Sequence, residues 1–295
     1  MSHRSMSASV LERALPEKTS TAGYLIRVSR PRFWLYLAGP VMIGAVYAAD
    51  SPSQLFDPFL VALFVYFLVP ANVFLYGVND VFDADIDAKN PKKDGREVRY
   101  REDRLVPIAV VLTGILGLAF VPVMPAVGAV AMVTFLFLAA EYSASPLRFK
   151  TTPFLDSISN GLYLLPGVVA YAVVSGTAPP AAAIVGGWLW TMGMHTFSAI
   201  PDIDPDREAG IETTATWLGE TRTYAYCALC WVAAAILFGS LHPFFAVIFG
   251  IYPAFIAFVA VSEISVERAY WWFPALNTLS GGALTLAGLW VMLYG

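Results

Sequence analysis

The sequence predicts an all-α integral membrane protein with about nine transmembrane helices. Of its 295 residues, 58% are hydrophobic and only 14% are charged, and the mean hydropathy is +0.64. Soluble domains carry about 25% charged residues. The apolar residues also form long blocks, whereas the strands of a membrane β-barrel are about half as long and alternate in polarity.

Nine apolar blocks approach the roughly 20 residues that one helix needs to cross a bilayer. In chain order they are 33–49, 55–78, 105–120, 121–140, 154–174, 181–200, 224–239, 244–261 and 271–293. The third and fourth blocks meet at Pro122 and Pro125. Two prolines so close together predict a tight turn between two helices, because proline interrupts the helical hydrogen bonds.

The basic residues predict the orientation of these helices. All 18 Lys and Arg residues fall in five segments, at 1–32, 88–104, 141–153, 201–223 and 262–270. The connections at 50–54, 175–180 and 240–243 contain none. Because Lys and Arg concentrate in cytosolic loops, we expect a multi-pass protein of the cell membrane with a cytosolic N-terminus and a cytosolic working face.

The domain organisation follows from the same pattern. Residues 1–22 are polar and are expected to form a mobile cytosolic tail, and residues 23–295 a single nine-helix domain. The lipid bilayer is the first expected partner. The net charge is −4, and no basic patch interleaved with aromatic residues suggests nucleic acid as a partner.

Two acidic motifs follow apolar blocks on the predicted cytosolic side. In the first, Asn79, Asp83 and Asp87 are spaced four residues apart, which places them on one helix face, with Asp80 beside them. The second contains Asp202 and Asp206 at the same spacing, but Pro205 lies between them. We expect this proline to break the helix and Asp204 to cap the next turn.

Stacked carboxylates repel one another, and near a membrane they require a compensating cation. Hard oxygen ligands favour Mg²⁺, which is usually held by one or two carboxylates together with substrate phosphates. Two such clusters facing each other would therefore hold a diphosphate between metal ions. A charged helix end in solvent is the alternative, and it is weaker because both clusters lie on the same side of the membrane.

Four motifs in the chain resemble those of the UbiA superfamily of intramembrane prenyltransferases. They are RPxxW at 30–34, NDxxDxxxD at 79–87, YSxxPxRxK at 142–150 and DxxxDxxxG at 202–210. The resemblance spans roughly residues 24–293 and implies that the nine helices surround a central cavity. Many members carry an Arg-Pro pair after the first motif, whereas this chain has a loop rich in Lys and Arg at 90–101.

The resemblance implies roles for particular residues. The Mg²⁺ ligands would be Asn79, Asp80, Asp83, Asp87, Asp202 and Asp206, of which Asn79, Asp83 and Asp202 are also expected to be catalytic. The diphosphate would be bound by Tyr142, Lys150 and Arg30, with Arg96 and Arg101 as further candidates.

Residues 194–206 and 79–101 look most like the carotenoid branch of the superfamily. That similarity implies dimethylallyl diphosphate as donor and lycopene as acceptor, with a proton lost or water added after transfer. The alternatives are an aromatic quinone precursor, a glycerol ether lipid or chlorophyllide as acceptor, and, in another functional class, an ion-coupled transporter.

His195 is a further candidate catalytic residue. It lies seven residues before Asp202, which places it two turns deeper on the same helix face. It could accept a proton from a cationic intermediate or position a water molecule. The alternative is a histidine that hydrogen-bonds to a neighbouring helix.

Overall fold

A computed structural model describes residues 16–17, 20–83, 104–262 and 264–295. These residues form α-helices joined by short 3₁₀ turns, with no β-strand among them. The α-helices are α1 (Thr21–Val28), α2 (Trp34–Ala48), α3 (Pro58–Leu68), α4 (Pro70–Phe82), α5 (Leu105–Phe120), α6 (Ala126–Glu141), α7 (Leu155–Ile158), α8 (Leu165–Ser175), α9 (Ala181–Ser198), α10 (Ile203–Glu208), α11 (Thr214–Leu218), α12 (Glu220–Leu241), α13 (Pro243–Val261), α14 (Val266–Tyr270) and α15 (Phe273–Tyr294).

The all-α membrane fold is confirmed, and each of the nine apolar blocks is helical over most of its length. Among the described residues, six segments are long and apolar enough to cross a membrane. They are Pro58–Phe82, Leu105–Val123, Leu155–Ser175, Glu220–Leu241, Pro243–Val261 and Val266–Tyr294. The other three blocks correspond to α2, α6 and α9. The count of nine crossings and the cytosolic N-terminus therefore stay predictions.

The second apolar block is two helices rather than one. The break lies at Val69, because Pro70 has no N–H with which to continue the ladder of α3, and Pro70 then begins α4. The Asn72 side chain donates hydrogen bonds to the Phe67 and Leu68 carbonyl oxygens, both at 3.0 Å. These bonds satisfy carbonyl groups that the break would otherwise leave without partners in an apolar environment.

The fifth block is also irregular at its beginning. α7 has four residues and is followed by a 3₁₀ helix, Ser159–Tyr163, before α8 begins. The Trp188 indole nitrogen donates to the Ile158 carbonyl oxygen at 2.8 Å, which holds this irregular backbone against α9. The turn predicted at Pro122 and Pro125 is present between α5 and α6.

The buried apolar side chains form two main clusters. One is built mainly from α2, α3, α4, α6 and α8, and the other from α9, α12, α13, α14 and α15. Large apolar side chains such as Leu112, Ile236 and Leu286 are exposed on the outer faces of α5, α12 and α15. An exposed apolar belt of this kind is the surface that lipid covers in a membrane protein.

Candidate active site

The end of α4 carries the first acidic motif. The Asn79 amide nitrogen donates to Asp83 Oδ2 at 2.8 Å, which confirms that the four-residue spacing brings these side chains together. The same nitrogen donates to Ser143 Oγ at 3.0 Å and thereby joins α4 to the segment after α6. Asp83 lies one residue past α4, and its amide donates to the Asn79 carbonyl oxygen at 3.0 Å.

Three basic side chains surround the acids of this motif. Arg30 Nη2 lies 3.2 Å from Asp80 Oδ1, and Arg148 Nη2 lies 3.1 Å from Asp83 Oδ1. Lys150 Nζ also forms an ion pair with Asp83, through Oδ2. Asp80 and Asp83 are only 4% and 7% exposed. Removing a carboxylate from water costs several kcal/mol unless it is paired, so these cations are required for burial of the acids.

Two of these basic residues have left-handed backbones. Arg30 has φ of 49° and Arg148 has φ of 42°. This region is sparsely populated by residues other than glycine, and such strain of about 1–3 kcal/mol is typically retained at functional sites. The Lys150 amide donates to the Tyr142 carbonyl oxygen at 3.0 Å. That bond folds the segment 142–150 back onto the end of α6 and brings its basic side chains to Asp83.

The second acidic motif follows α9. Asp202 ends the 3₁₀ turn Ile200–Asp202 and stands at the N-cap position of α10, and Asp206 lies within α10. The expected break in the helix is present, but it lies at Ala199, before the 3₁₀ turn, and not at Pro205. Pro205 lies in the first turn of α10, where its missing N–H has no intrahelical partner to lose. The expected capping role of Asp204 is also wrong. Its side chain is 90% exposed and lies 3.8 Å from Arg207.

His195 and Tyr142 contact each other across two helices. The Tyr142 hydroxyl oxygen lies 3.3 Å from His195 Nε2, and the two rings meet edge to face at 5.8 Å. Tyr142 follows the last residue of α6, and His195 lies one turn from the end of α9. Burial raises the pKa of the Tyr142 hydroxyl. The hydroxyl therefore stays protonated and can donate to the imidazole.

Sequence reasoning missed the contacts that Arg148 and Ser143 make with the first acidic motif, and it missed the buried acid Asp156. Asp156 is buried at the start of the fifth apolar block, where it accepts hydrogen bonds from the Thr214 amide at 3.0 Å and from the Thr214 hydroxyl. An acidic residue beside an apolar block was the available signal. Arg148 and Ser143 lie inside the motif at 142–150, and only their contacts with the first acidic motif reveal their importance.

A cavity of about 730 Å³ opens beside the acidic site. Arg30, Asn79, Tyr142 and His195 line one end of it. Its walls follow one face of α2 and one face of α9, because the lining residues recur every three or four positions. Along α9 the lining runs from residue 183 to residue 198, which corresponds to about 22 Å at 1.5 Å rise per residue. The central cavity expected from the family resemblance is therefore present.

Three candidate residues, Asp87, Arg96 and Arg101, lie outside the described residues, so their roles stay predictions. Within the described part of the chain, no group of three or more His, Cys, Asp or Glu side chains is placed to hold a metal ion. The donor chemistry nevertheless fits Mg²⁺, because Asn79, Asp80 and Asp83 present amide and carboxylate oxygens together. Mg²⁺ usually needs only one or two carboxylates when substrate phosphates complete its coordination.

The chain is similar to known proteins over nearly its whole length. The model of the UbiA prenyltransferase family matches residues 37–279. The lycopene elongase/hydratase of Haloarcula japonica is 59% identical over 286 residues, which cover 97% of each chain. The lycopene elongase/hydratase of Haloferax volcanii is 57% identical over 272 residues, covering 92% of this chain and 90% of that one.

The fold is also similar to that of a solved structure. A UbiA homolog from Archaeoglobus fulgidus, bound to DMAPP and Mg²⁺, superposes with a TM-score of 0.70. The two chains are 19% identical, and the match covers 92% of this chain and 99% of that chain. At this identity the likeness shows a shared fold.

Proposed function

Because the chain belongs to the UbiA prenyltransferase family, we propose that it transfers a dimethylallyl group from its diphosphate to lycopene in a Mg²⁺-dependent reaction. Membership of this family identifies the protein as a membrane prenyltransferase of isoprenoid metabolism. The relatives at 57–59% identity, both lycopene elongase/hydratases, support lycopene as the acceptor. The basic loops support an active site that faces the cytosol.

The observation that carries this proposal is the pairing of a charged site with a long apolar cavity. Arg30 and Asn79 line the cavity at its charged end, and apolar and aromatic side chains line the rest. A prenyl diphosphate has the same division between a charged head and an apolar tail. A wall of about 22 Å has room for a long isoprenoid chain.

The first step concerns the diphosphate. Asn79, Asp80, Asp83, Asp202 and Asp206, together with Asp87, would hold Mg²⁺. When bound, Mg²⁺ would neutralise the charge that develops on the leaving diphosphate.

The basic side chains bind the same group. Arg148 and Lys150 now contact Asp83, and Arg30 contacts Asp80. Their N–H groups are suited to phosphate oxygens, and the Tyr142 hydroxyl can donate beside them. With Asp80 and Asp83 as metal ligands, the basic side chains of Arg30, Arg148 and Lys150 would be left to bind the diphosphate.

The second step concerns carbon chemistry. The allylic C–O bond breaks, diphosphate takes the electron pair, and a terminal double bond of lycopene attacks the allylic cation. The Tyr163 ring lies at this end of the cavity, with its hydroxyl oxygen 3.5 Å from that of Tyr76, and can shelter positive charge. The resulting tertiary cation loses a proton or gains water. We propose that His195, which contacts Tyr142, accepts such a proton.

Expression in an otherwise colourless, lycopene-producing host tests the proposal. Wild type should convert lycopene to products that are heavier by one or two five-carbon units, and Asp83→Asn should not. Asp204→Asn is the matched control, because this acid belongs to the second motif region but is exposed. Unchanged lycopene with wild type would refute lycopene as the acceptor, and full activity of Asp83→Asn would refute the role of the first motif.

A further inference from the structure

A second group of polar side chains lies deeper in the cavity than the acidic motifs. It consists of Tyr36 on α2, Trp190 on α9, Tyr252 on α13, and Asn277 and Ser280 on α15. All five line the cavity, and we call them the mid-cavity polar cluster. They come from four helices that meet only in the folded protein. Polar side chains inside a membrane are costly and commonly mark a functional site.

The cluster is only partly satisfied by hydrogen bonds. The Tyr252 hydroxyl donates to Asn277 Oδ1 at 2.8 Å. Tyr36 Oη, Trp190 Nε1 and Ser280 Oγ are buried but find no hydrogen-bond partner among the described residues. Among the described residues, only five buried side-chain nitrogen or oxygen atoms have no hydrogen-bond partner, and three of the five belong to this cluster. Since each such group costs about 1–3 kcal/mol, the concentration indicates a site built for a polar ligand.

The members of the cluster lie close to one another. The Asn277 side chain interacts with the Tyr36 hydroxyl, and the Trp190 and Tyr252 rings meet edge to face with their centroids 5.5 Å apart. Ser280 also interacts with the Tyr252 hydroxyl. A small ligand with both donor and acceptor capacity would bridge them.

The chemistry of the cluster identifies that ligand as a neutral oxygen group. All five side chains are uncharged, so they offer no counter-ion to phosphate or carboxylate. Trp190 Nε1–H can only donate, the Asn277 side-chain oxygen accepts, and the hydroxyls can do either. This set suits a water molecule, which needs two to four polar partners to remain in an apolar cavity.

The mid-cavity polar cluster lies at the depth where we expect the carbon atoms that react in prenyl transfer. Asn277 lies four residues from the start of α15, or about 6 Å along the helix. Tyr36 is the third residue of α2 and its ring lies 6.3 Å from that of Tyr163, which borders the charged end. Tyr36 is therefore adjacent to the charged end of the cavity, where a five-carbon group would extend from a bound diphosphate.

We infer that the mid-cavity polar cluster holds the water molecule that adds to the acceptor cation after prenyl transfer. This inference rests on the proposed function. The oxygen lone pair forms a C–O bond to the tertiary cation of the extended acceptor. The added oxygen then carries one extra proton, which passes to the diphosphate released in the same turnover and leaves a neutral hydroxyl group. Without held water the cation would instead lose a proton from carbon, giving an extended product with one more double bond.

The test separates hydration from prenyl transfer by mass. Wild type, Tyr36→Phe, Ser280→Ala and the double variant are expressed in the lycopene-producing host at matched protein levels. The singly and doubly extended products, each with and without added water, are then quantified by mass spectrometry. Tyr47→Phe is the matched control, since Tyr47 lies on the same helix and cavity wall, but its hydroxyl donates to the Leu284 carbonyl oxygen at 3.0 Å.

Each single variant should lower the ratio of hydrated to unhydrated product about fivefold, the value of one neutral hydrogen bond, and the double variant should lower it more than about tenfold. Total extended product should stay within about twofold of wild type, and Tyr47→Phe should leave the ratio unchanged. Ser280→Ala removes only the hydroxyl group and leaves the Cβ atom in place, so we expect this variant to fold.

Several outcomes would overturn the inference. One is an unchanged ratio in the double variant that still extends lycopene, which would make the cluster a purely structural contact between helices. Another is a change confined to the doubly extended product, which would mean that the cluster binds the hydroxyl group of the first product. If the wild-type protein extends lycopene but never adds water, the inference about water is overturned, whereas the proposed prenyl transfer stands. Wild type that leaves lycopene unchanged would refute the proposed function itself.

Discussion

The ion pair between Asp83 and Lys150 should couple the stability of the first acidic motif to the segment 142–150. Both side chains are largely buried, with 10% and 14% exposure. A hydrogen bond to a charged group contributes about 1.5–3 kcal/mol, and removing one partner leaves the other charge buried. Lys150→Met should therefore lower the free energy of unfolding by about 2 kcal/mol. Arg148 remains 3.1 Å from Asp83 and limits the loss.

A double-mutant cycle isolates this interaction. Asp83→Asn, Lys150→Met and the double variant are compared by reversible unfolding of purified protein in mixed detergent micelles. Because a neutral amide at position 83 no longer needs a counter-ion, the double variant should lose less stability than the sum of the single variants, with a coupling of about 2 kcal/mol. Additivity within about 0.5 kcal/mol would refute the claim that Lys150 neutralises Asp83.

Three further predictions follow from the packing and the site. An added Cβ at Gly44 would lie 2.1 Å from the Gly167 carbonyl oxygen, so Gly44→Ala should separate α2 from α8 and cost about 1–3 kcal/mol in thermal unfolding. Gly39→Ala, whose Cβ would meet no described atom within 4 Å, should cost far less, and equal losses would contradict this packing. His195→Ala should leave binding of Mg²⁺ and inorganic diphosphate intact by calorimetry while shifting the product mixture, and unchanged products would refute its role. Asn72→Leu should lower the unfolding temperature at a cost of about 1–3 kcal/mol, because two carbonyl groups at the helix break lose their donor; an unchanged temperature would show that the break does not need it.

Much of the fold could be predicted from the sequence, because the lipid environment imposes a simple rule on composition. Every membrane helix must be apolar over its length, so block lengths reveal helices without knowledge of their packing. The spacing of Asn79 and Asp83 likewise predicted their contact, since it depends only on local helix geometry. The break at Pro70 was missed, although the proline gave the signal, because its apolar neighbours continue on both sides.

Contacts between distant segments could not be predicted in this way. Tyr142 and His195 are 53 residues apart, and Arg148 and Asp83 are 65 apart. Their meeting depends on how helices pack, which periodicity does not encode. At Pro205 the error is of the other kind. Proline breaks a helix only in its interior, and the sequence does not reveal that α10 begins at Ile203, two residues before this proline. The mid-cavity polar cluster was missed because each of its polar residues gives no signal on its own helix.

The most direct test of the central claim is prenyl transfer by the purified protein in lipid vesicles. Radiolabelled dimethylallyl diphosphate and lycopene are supplied with Mg²⁺ or with EDTA, using wild type and Asp202→Asn. We expect label in an extended carotenoid with wild type and Mg²⁺, and its loss with EDTA or with the variant. Label that enters the carotenoid equally well without divalent cations, or with Asp202→Asn, would contradict the claim.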